Sequence, residues 1–260
     1  MILPTLISFS GGRSSAYMTY KMIFEQKIEN YVVTFANTGK ESNATLDFVN
    51  ECDLRWKLNV VWLEYNPTQA GKFEIVNYET ASRNGELFQK LLDAKSFLPN
   101  VVARFCTGEL KVKVMKKYMQ SLGYKRWNVA MGIRFDEPLR WARYIQNTQK
   151  EPFYYLLPLV EYESTKEDVM SFWSQSHFDL QLRQDEGNCD LCLLKGKAKL
   201  IRLMRENPAK AEWWIANEKR VDGRFRKRES YSDLLQVATS QQEIFTNEFD
   251  IDFPCHCNAD

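Results

Sequence analysis

The feature that most restricts the fold is an alternation in the first quarter of the chain, where short apolar runs are separated by segments of helical period. Leu3 to Ser8 reads as a strand, and Ser14 to Glu25 reads as a helix with Ala16, Tyr17, Tyr20 and Ile23 on its apolar face. Tyr31 to Ala36 is a second buried strand, Leu46 to Trp56 is helical, and Asn59 to Leu63 (NVVWL) is a third strand. Parallel strands need long crossover connections, usually helices, so this spacing predicts a parallel sheet with helices on its faces. A polar helix-loop section (67–103), a cationic helix from about Thr107 to Ser121 and a strand at Trp127 to Met131 follow.

Beyond Pro158 the character changes. The segment STKEDVMSFWSQ places Glu167 three positions after Ser164, a capping-box signal for a helix start. LLKGKAKLIRLMRE and NPAKAEWWIANEK are two further helical stretches. The expected organisation is an α/β domain over residues 1–160 with a helical, cysteine-bearing part over 161–260 packed against it.

With 44% hydrophobic residues among 260, the chain can bury a full core. Its 35 cationic and 34 anionic side chains nearly cancel, so no global field draws it to nucleic acid or anionic lipid. It carries no 18-residue apolar run and no basic leader before a small-residue cleavage site, so a soluble, cytoplasmic protein with no membrane partner is expected. Homo-oligomerisation stays open.

The turn after the first strand, SFSGGRSS, has the chemistry of a phosphate seat. Gly11 and Gly12 allow consecutive N–H groups to converge, Ser10, Ser14 and Ser15 add hydroxyls, Arg13 adds a charge, and the helix start adds positive potential. A glycine turn with a serine cap is the plainer alternative. It is not a Walker A loop, and NTGKES at 37–42 fails that pattern too because Glu41 follows Lys40.

The company of this loop favours the phosphate seat. SFSGGRSS resembles the PP-loop, SGGxxS, of the adenine nucleotide alpha hydrolase superfamily, and FANTGKES resembles the F-x-NTG-x-E block of its phosphoadenosine phosphosulfate reductase branch. In the same order, RFCTGELKVKVM (104–115) is similar to R-x-CT-x-x-LK-x-x-P, GIRFDEPLR (132–140) to G-[IL]-R-x-DE-[AS]-x-R, and LPLVEYESTKEDVMSF (157–172), more loosely, to P-[LI]-x-x-W-x-x-x-DV. Val114, Pro138 and Tyr162 depart from those patterns. The tail, with GNCDLCLLKGKAKL, PAKAEWW and CHC, looks like phage and bacterial members of the branch.

The resemblance implies a Rossmann-like, HUP-type fold and an adenine nucleotide ligand, ATP with Mg2+. It assigns Ser10, Gly11, Gly12, Arg13, Ser14 and Ser15 to the phosphates, and Asn37, Thr38, Gly39 and Glu41 to the neighbourhood of the adenosine. Arg104, Lys111, Arg134 and Arg140 become a cationic clamp on the pyrophosphate, where such charges are useful in anhydride cleavage. The plainer alternative for the arginines is ion pairing with Asp136 and Glu137. Glu41 or Glu137 could instead hold the metal.

Six cysteines without a leader favour metal ligation over a disulfide framework. Cys189 and Cys192 form CxxC immediately before a helix, and Cys255 and Cys257 form CxC, giving four thiolates for a [4Fe-4S] cluster or a Zn2+ ion. The resemblance tilts the choice toward the cluster. Cys106 is open to three roles: cluster ligand, nucleophile or packed residue. Cys52 reads as core, His256 stands between two candidate ligands, and His177 reads as a helix-end residue. Trp213 and Trp214 read as a helical core face, while Arg224, Arg226, Lys227 and Arg228 could guide a nucleic-acid acceptor.

The leading expectation is an enzyme that cleaves ATP to AMP and pyrophosphate and adenylates an acceptor, a nucleic acid or a small molecule, which a sulfur or nitrogen nucleophile then attacks. A sulfonucleotide reductase ranks lower, because FPCHCNAD does not match that family's Cys-Gly-[IL]-His tail. A nucleotide-sequestering protein without turnover is the third reading.

Overall fold

The computed structural model describes residues 2–145, 151–183 and 186–240. A six-stranded sheet forms its centre, built from β1 (Thr5–Ser8), β2 (Tyr31–Asn37), β3 (Val61–Tyr65), β4 (Phe73–Val76), β5 (Trp127–Met131) and β6 (Phe153–Leu156) in the order β4-β3-β2-β1-β5-β6. All neighbours run parallel except β3 and β4. The central strands are apolar on both faces because helices cover both.

On one face lie α1 (Arg13–Tyr20), α2 (Asn43–Trp56) and α8 (Lys166–Ser174), packed over Ile7, Val33, Phe35 and Ala130. Trp173 is buried there, with its ring centroid 4.9 Å from that of Phe48 and 5.8 Å from that of Trp56. The other face buries Leu6, Leu63, Trp127 and Val129 against α3 (Glu86–Lys95), α5 (Lys113–Ser121), α9 (Lys197–Glu206), α10 (Glu212–Val221) and α11 (Tyr231–Thr239). Each hydrophobic cluster therefore draws residues from both sides of position 160.

Several elements differ from the sequence reading. The helix after β1 continues through a wider π-type turn at Lys21–Glu25. The cationic helix begins as α4 (Phe105–Thr107) and passes through a similar turn, Gly108–Val112, into α5. The capping box of α8 sits one residue later than expected. Thr165 is the cap, and the Asp168 carboxylate accepts from the Thr165 N–H at 2.7 Å. Ser164 cannot serve, since its N–H bonds Leu159 O and its carbonyl accepts from the Phe135 N–H, each within 2.9 Å. β4, β6, α6 (Pro138–Ile145), the short α7 (Pro158–Glu161) and α11 were not expected. No helix among the described residues is long and apolar enough to cross a membrane.

Candidate functional site

The strand order places a topological switch at β1: the chain winds to β2 and β3 on one side, then returns to β5 and β6 on the other. In open α/β sheets the crevice beyond the carboxyl ends of the strands at such a point is the usual ligand site. The loops after β1, β2 and β5 converge there, and they carry three of the sequence blocks.

The β1 loop is shaped from within. Gly11 has φ +80°, and a Cβ there would lie 2.5 Å from Thr45 Cγ2, so both the backbone angle and the space exclude a side chain. The Ser10 N–H and hydroxyl both donate to Ser15 Oγ at 3.1 Å, while the Ser15 hydroxyl donates to Gly12 O. Gly12 caps α1 in extended conformation with no side-chain cap, so no side chain at that position competes for the first N–H groups of the helix. Gly132, just past β5, presses on this start: a Cβ there would lie 2.7 Å from Ser15 Cα. Arg134 reaches the same loop, with Nη1 3.3 Å from Ser14 Oγ and Nε 2.9 Å from Asp136.

Arg13 does something other than the sequence suggests. Its guanidinium turns to Asp179, at 2.7 and 2.8 Å, and to the carbonyls of Leu180 and Leu182. These bonds fasten segment 179–182 to α1, so its charge is already paired inside the protein.

The β2 loop is held by buried polar groups. Asn37 has no exposed surface; its amide donates to Glu64 at 2.6 Å and to Ser82 O at 2.8 Å, and its Oδ1 accepts from the Gly39 N–H. Asn37 thus shapes the loop, with its side-chain donors already engaged. Glu64, 1% exposed, also accepts from the Ser82 N–H and hydroxyl. Burial pushes its carboxyl up, and those three hydrogen bonds offset part of that rise. Glu41 is likewise occupied: one oxygen accepts from the Thr38 N–H and hydroxyl, and the other lies 3.3 Å from Lys111 Nζ and 3.9 Å from Cys189 Sγ. Glu137 accepts from the Arg134 N–H and pairs with Arg140. Both carboxylates considered for Mg2+ are engaged by protein groups, so no protein ligand for that ion is assigned.

Among the described residues, a cavity of about 330 Å³ opens at the carboxyl ends of β1, β2 and β5; it is mostly apolar and is lined by Ser8, Ser10, Ala36, Met131, Tyr144 and Lys111 among others. A second cavity, about 40 Å³, brings Cys106, Cys189 and Cys192 together with Thr38, Arg104 and Lys111. Thr107 and Lys111 line both, so they form the partition between the apolar cavity and the thiols. Cys106 is thereby brought to the CxxC pair. Cys52 is fully buried in the core, and burial drives its thiol far up.

The CxxC turn is clamped by the C-terminal helices. Lys195 Nζ donates to the carbonyls of Cys189 and Asp190, the Tyr231 hydroxyl to Leu191 O at 2.6 Å, and Arg226 to the carbonyls of Leu193 and Lys195. Arg226, considered for nucleic acid, is therefore a clamp. Trp214 stacks on Tyr231 and donates to Asp190, while Lys40 pairs with Asp190 at 2.8 Å beneath the Trp213 ring. Lys40 and the two tryptophans serve this packing. Glu218, its carboxyl raised by burial, accepts from the N–H groups of Phe225 and Tyr231. Cys255, Cys257 and His256 lie outside the described residues, and among the described residues no group of three or more His, Cys, Asp or Glu side chains is placed to hold a metal ion.

Lys111 thus pairs with Glu41 of the β2 loop, Arg134 meets the β1 loop at Ser14, and Asn37 holds the β2 loop from within. Glu64, Ser82, Asn188, Lys195 and Tyr231 are supporting residues that no local motif marks.

These features define an α/β protein with a mostly parallel, Rossmann-like sheet and a cleft at its switch point. No family model matches the chain. Over 203 residues it is 32% identical to the uncharacterized nin region protein ORF290 of Escherichia phage lambda, covering 75% of this chain and 67% of that protein, and it belongs to that protein's family. It is also 24% identical over 220 residues to the uncharacterized protein MJ0973 of Methanocaldococcus jannaschii, covering 80% of this chain but only 46% of that relative.

Proposed function

We propose that this protein binds ATP at the switch-point cleft and cleaves it between the α and β phosphates, adenylating an acceptor and releasing pyrophosphate. The observation that supports this reading is the cavity of about 330 Å³ at the sheet's switch point, lined by Ser10, Ala36 and Met131, where the loops after β1, β2 and β5 begin. The N–H groups of the glycine loop and of the first turn of α1 hold the phosphates. Arg134, fixed by Asp136 against Ser14, and Lys111, on the cavity partition, neutralise charge that builds on the leaving pyrophosphate. The adenosine lies in the apolar cavity beside Ala36, next to the loop that Asn37 and Glu64 hold rigid. Arg104 and Arg140 complete the clamp, Arg140 with its charge shared with Glu137.

In the step itself, an acceptor oxygen attacks the α phosphorus, the bond to the α–β bridging oxygen breaks, and its electron pair leaves with pyrophosphate. A sulfur or nitrogen nucleophile then displaces AMP from the adenylated acceptor. Mg2+ bound with the nucleotide would supply further charge neutralisation. Cys189 and Cys192, with Cys255 and Cys257, would hold the thiolate-ligated centre, [4Fe-4S] or Zn2+. Cys106 adds a third thiol on the cavity side, beyond Lys111.

Incubation with ATP and Mg2+ followed by chromatographic separation of nucleotides tests the reaction. AMP with pyrophosphate is the expected product pair. ADP with phosphate would overturn the reading, and tight binding without products would reduce the function to nucleotide retention.

A further inference from the structure

The turn carrying Cys189 is bonded to both loops of the cleft. The Ser42 N–H donates to Asn188 O at 2.7 Å, the Asp190 N–H donates to Lys40 O at 2.9 Å, and Glu41 pairs with Cys189 as an antiparallel bridge. The side chain of Asn188 crosses the other way and donates from Nδ2 to Ser10 O at 2.6 Å. Asn188 has no exposed surface, and its Oδ1 has no hydrogen-bond partner among the described residues. A buried amide kept half satisfied is uncommon in native proteins and calls for an explanation.

The consequence follows from peptide geometry. Ser10 C=O and Gly11 N–H belong to one planar trans peptide and point in opposite directions, so holding the carbonyl fixes the direction of the N–H. Gly11, at φ +80°, is the residue type most able to let that peptide rotate. The bond from Asn188 selects one orientation of a loop otherwise free to change.

We propose that Asn188 is a positioning residue that couples the Cys189–Cys192 turn to the phosphate loop, so that nucleotide in the cleft and order in the thiol turn stabilise each other. The inference rests on the nucleotide reading above and deepens it. The coupling is reciprocal, because whatever favours the pinned peptide also favours the turn that pins it. Asp190, Lys40 and Ser42 then carry the same constraint into the β2 loop.

The test uses Asn188→Asp, which keeps the shape but replaces the donor with an acceptor, and Asn188→Ala should the first variant fail to fold. ATP affinity is measured by calorimetry, and amide exchange is followed at Ser42 and Asp190, whose N–H groups make the two cross-bonds. Saturating ATP should slow that exchange at least about fivefold in the wild type and less than about twofold in the variant, which should also bind ATP about tenfold more weakly. Equal slowing in both proteins, or ATP binding to the wild type without slowing, overturns the coupling and leaves the nucleotide reading standing. A wild type that binds no ATP overturns both.

Discussion

Gly132→Ala offers the most direct physical probe of how the glycine loop after β1, the proposed phosphate seat, is held. An added Cβ would lie 2.7 Å from Ser15 Cα, 2.9 Å from Ser15 N and 3.0 Å from Ser14 O, all backbone atoms with no rotamer to yield. Ordinary contact begins at 3.4 Å, so the first turn of α1 must retreat by about 0.7 Å, the difference between 3.4 and 2.7. Overpacking of this kind costs about 1–3 kcal/mol, a fall in Tm of roughly 2–10 °C in a chain of this size. The same displacement moves the loop's N–H groups off their aim, and losing the alignment of even one or two charge-assisted bonds should weaken ATP binding about tenfold or more. Gly108→Ala is the control. It has a helical backbone and nothing within 4 Å of the added carbon, so it should stabilise by about 0.5–1 kcal/mol and leave ATP binding unchanged. Thermal melting and calorimetry read both quantities. Gly132→Ala with wild-type Tm and wild-type affinity would refute the claim that the end of β5 braces the loop.

Asp179→Ala removes the carboxylate from a guanidinium only 5% exposed, and because Asp179 is itself about a third exposed the expected loss in urea unfolding is about 2–3 kcal/mol; a loss below about 0.5 kcal/mol would deny that the pair fastens segment 179–182. Tyr231→Phe deprives the buried Leu191 carbonyl of its donor while keeping the Trp214 stack, so Tm should fall with a cost of about 1–3 kcal/mol; an unchanged melting curve would remove Tyr231 from the clamp. Glu64 has its pKa raised in the folded state. Its contribution to stability is therefore fully present below the unfolded carboxyl pKa of about 4.3 and is lost as pH rises through the folded value. Unfolding measured against pH should accordingly show the wild type losing stability relative to Glu64→Gln as pH rises, and a constant difference would contradict the burial argument.

The parts of the fold legible in the sequence were those whose signal is local. β1, β2, β3 and β5 are interior strands with near-continuous apolar runs, and they stand within a residue or two of where periodicity put them. β4 (FEIV) and β6 (FYYL) are the edges of the sheet, short and half-covered, with no alternation long enough to register. Pro138 at the start of α6 and the Ser230–Asp233 capping box of α11 are local start signals for those two helices. At the cleft, the glycine loop and the NTGKE block were visible because their chemistry is contiguous. Asn188 meets Ser10 across 178 positions, Arg13 meets Asp179 across 166, and Glu64 meets Asn37 across 27. No window of sequence contains both members of such a pair. Arg13 misled for the same reason: a charge beside a phosphate loop suggests a ligand contact until its distant carboxylate is seen.

Calorimetric titration of ATP into the wild type and into Gly12→Val, alongside their melting curves, tests the central claim most directly. The account predicts one nucleotide per chain for the wild type and none measurable for a variant that still melts in a single cooperative transition. Binding of equal strength in both proteins, or no binding to either, would contradict a phosphate seat in the loop after β1.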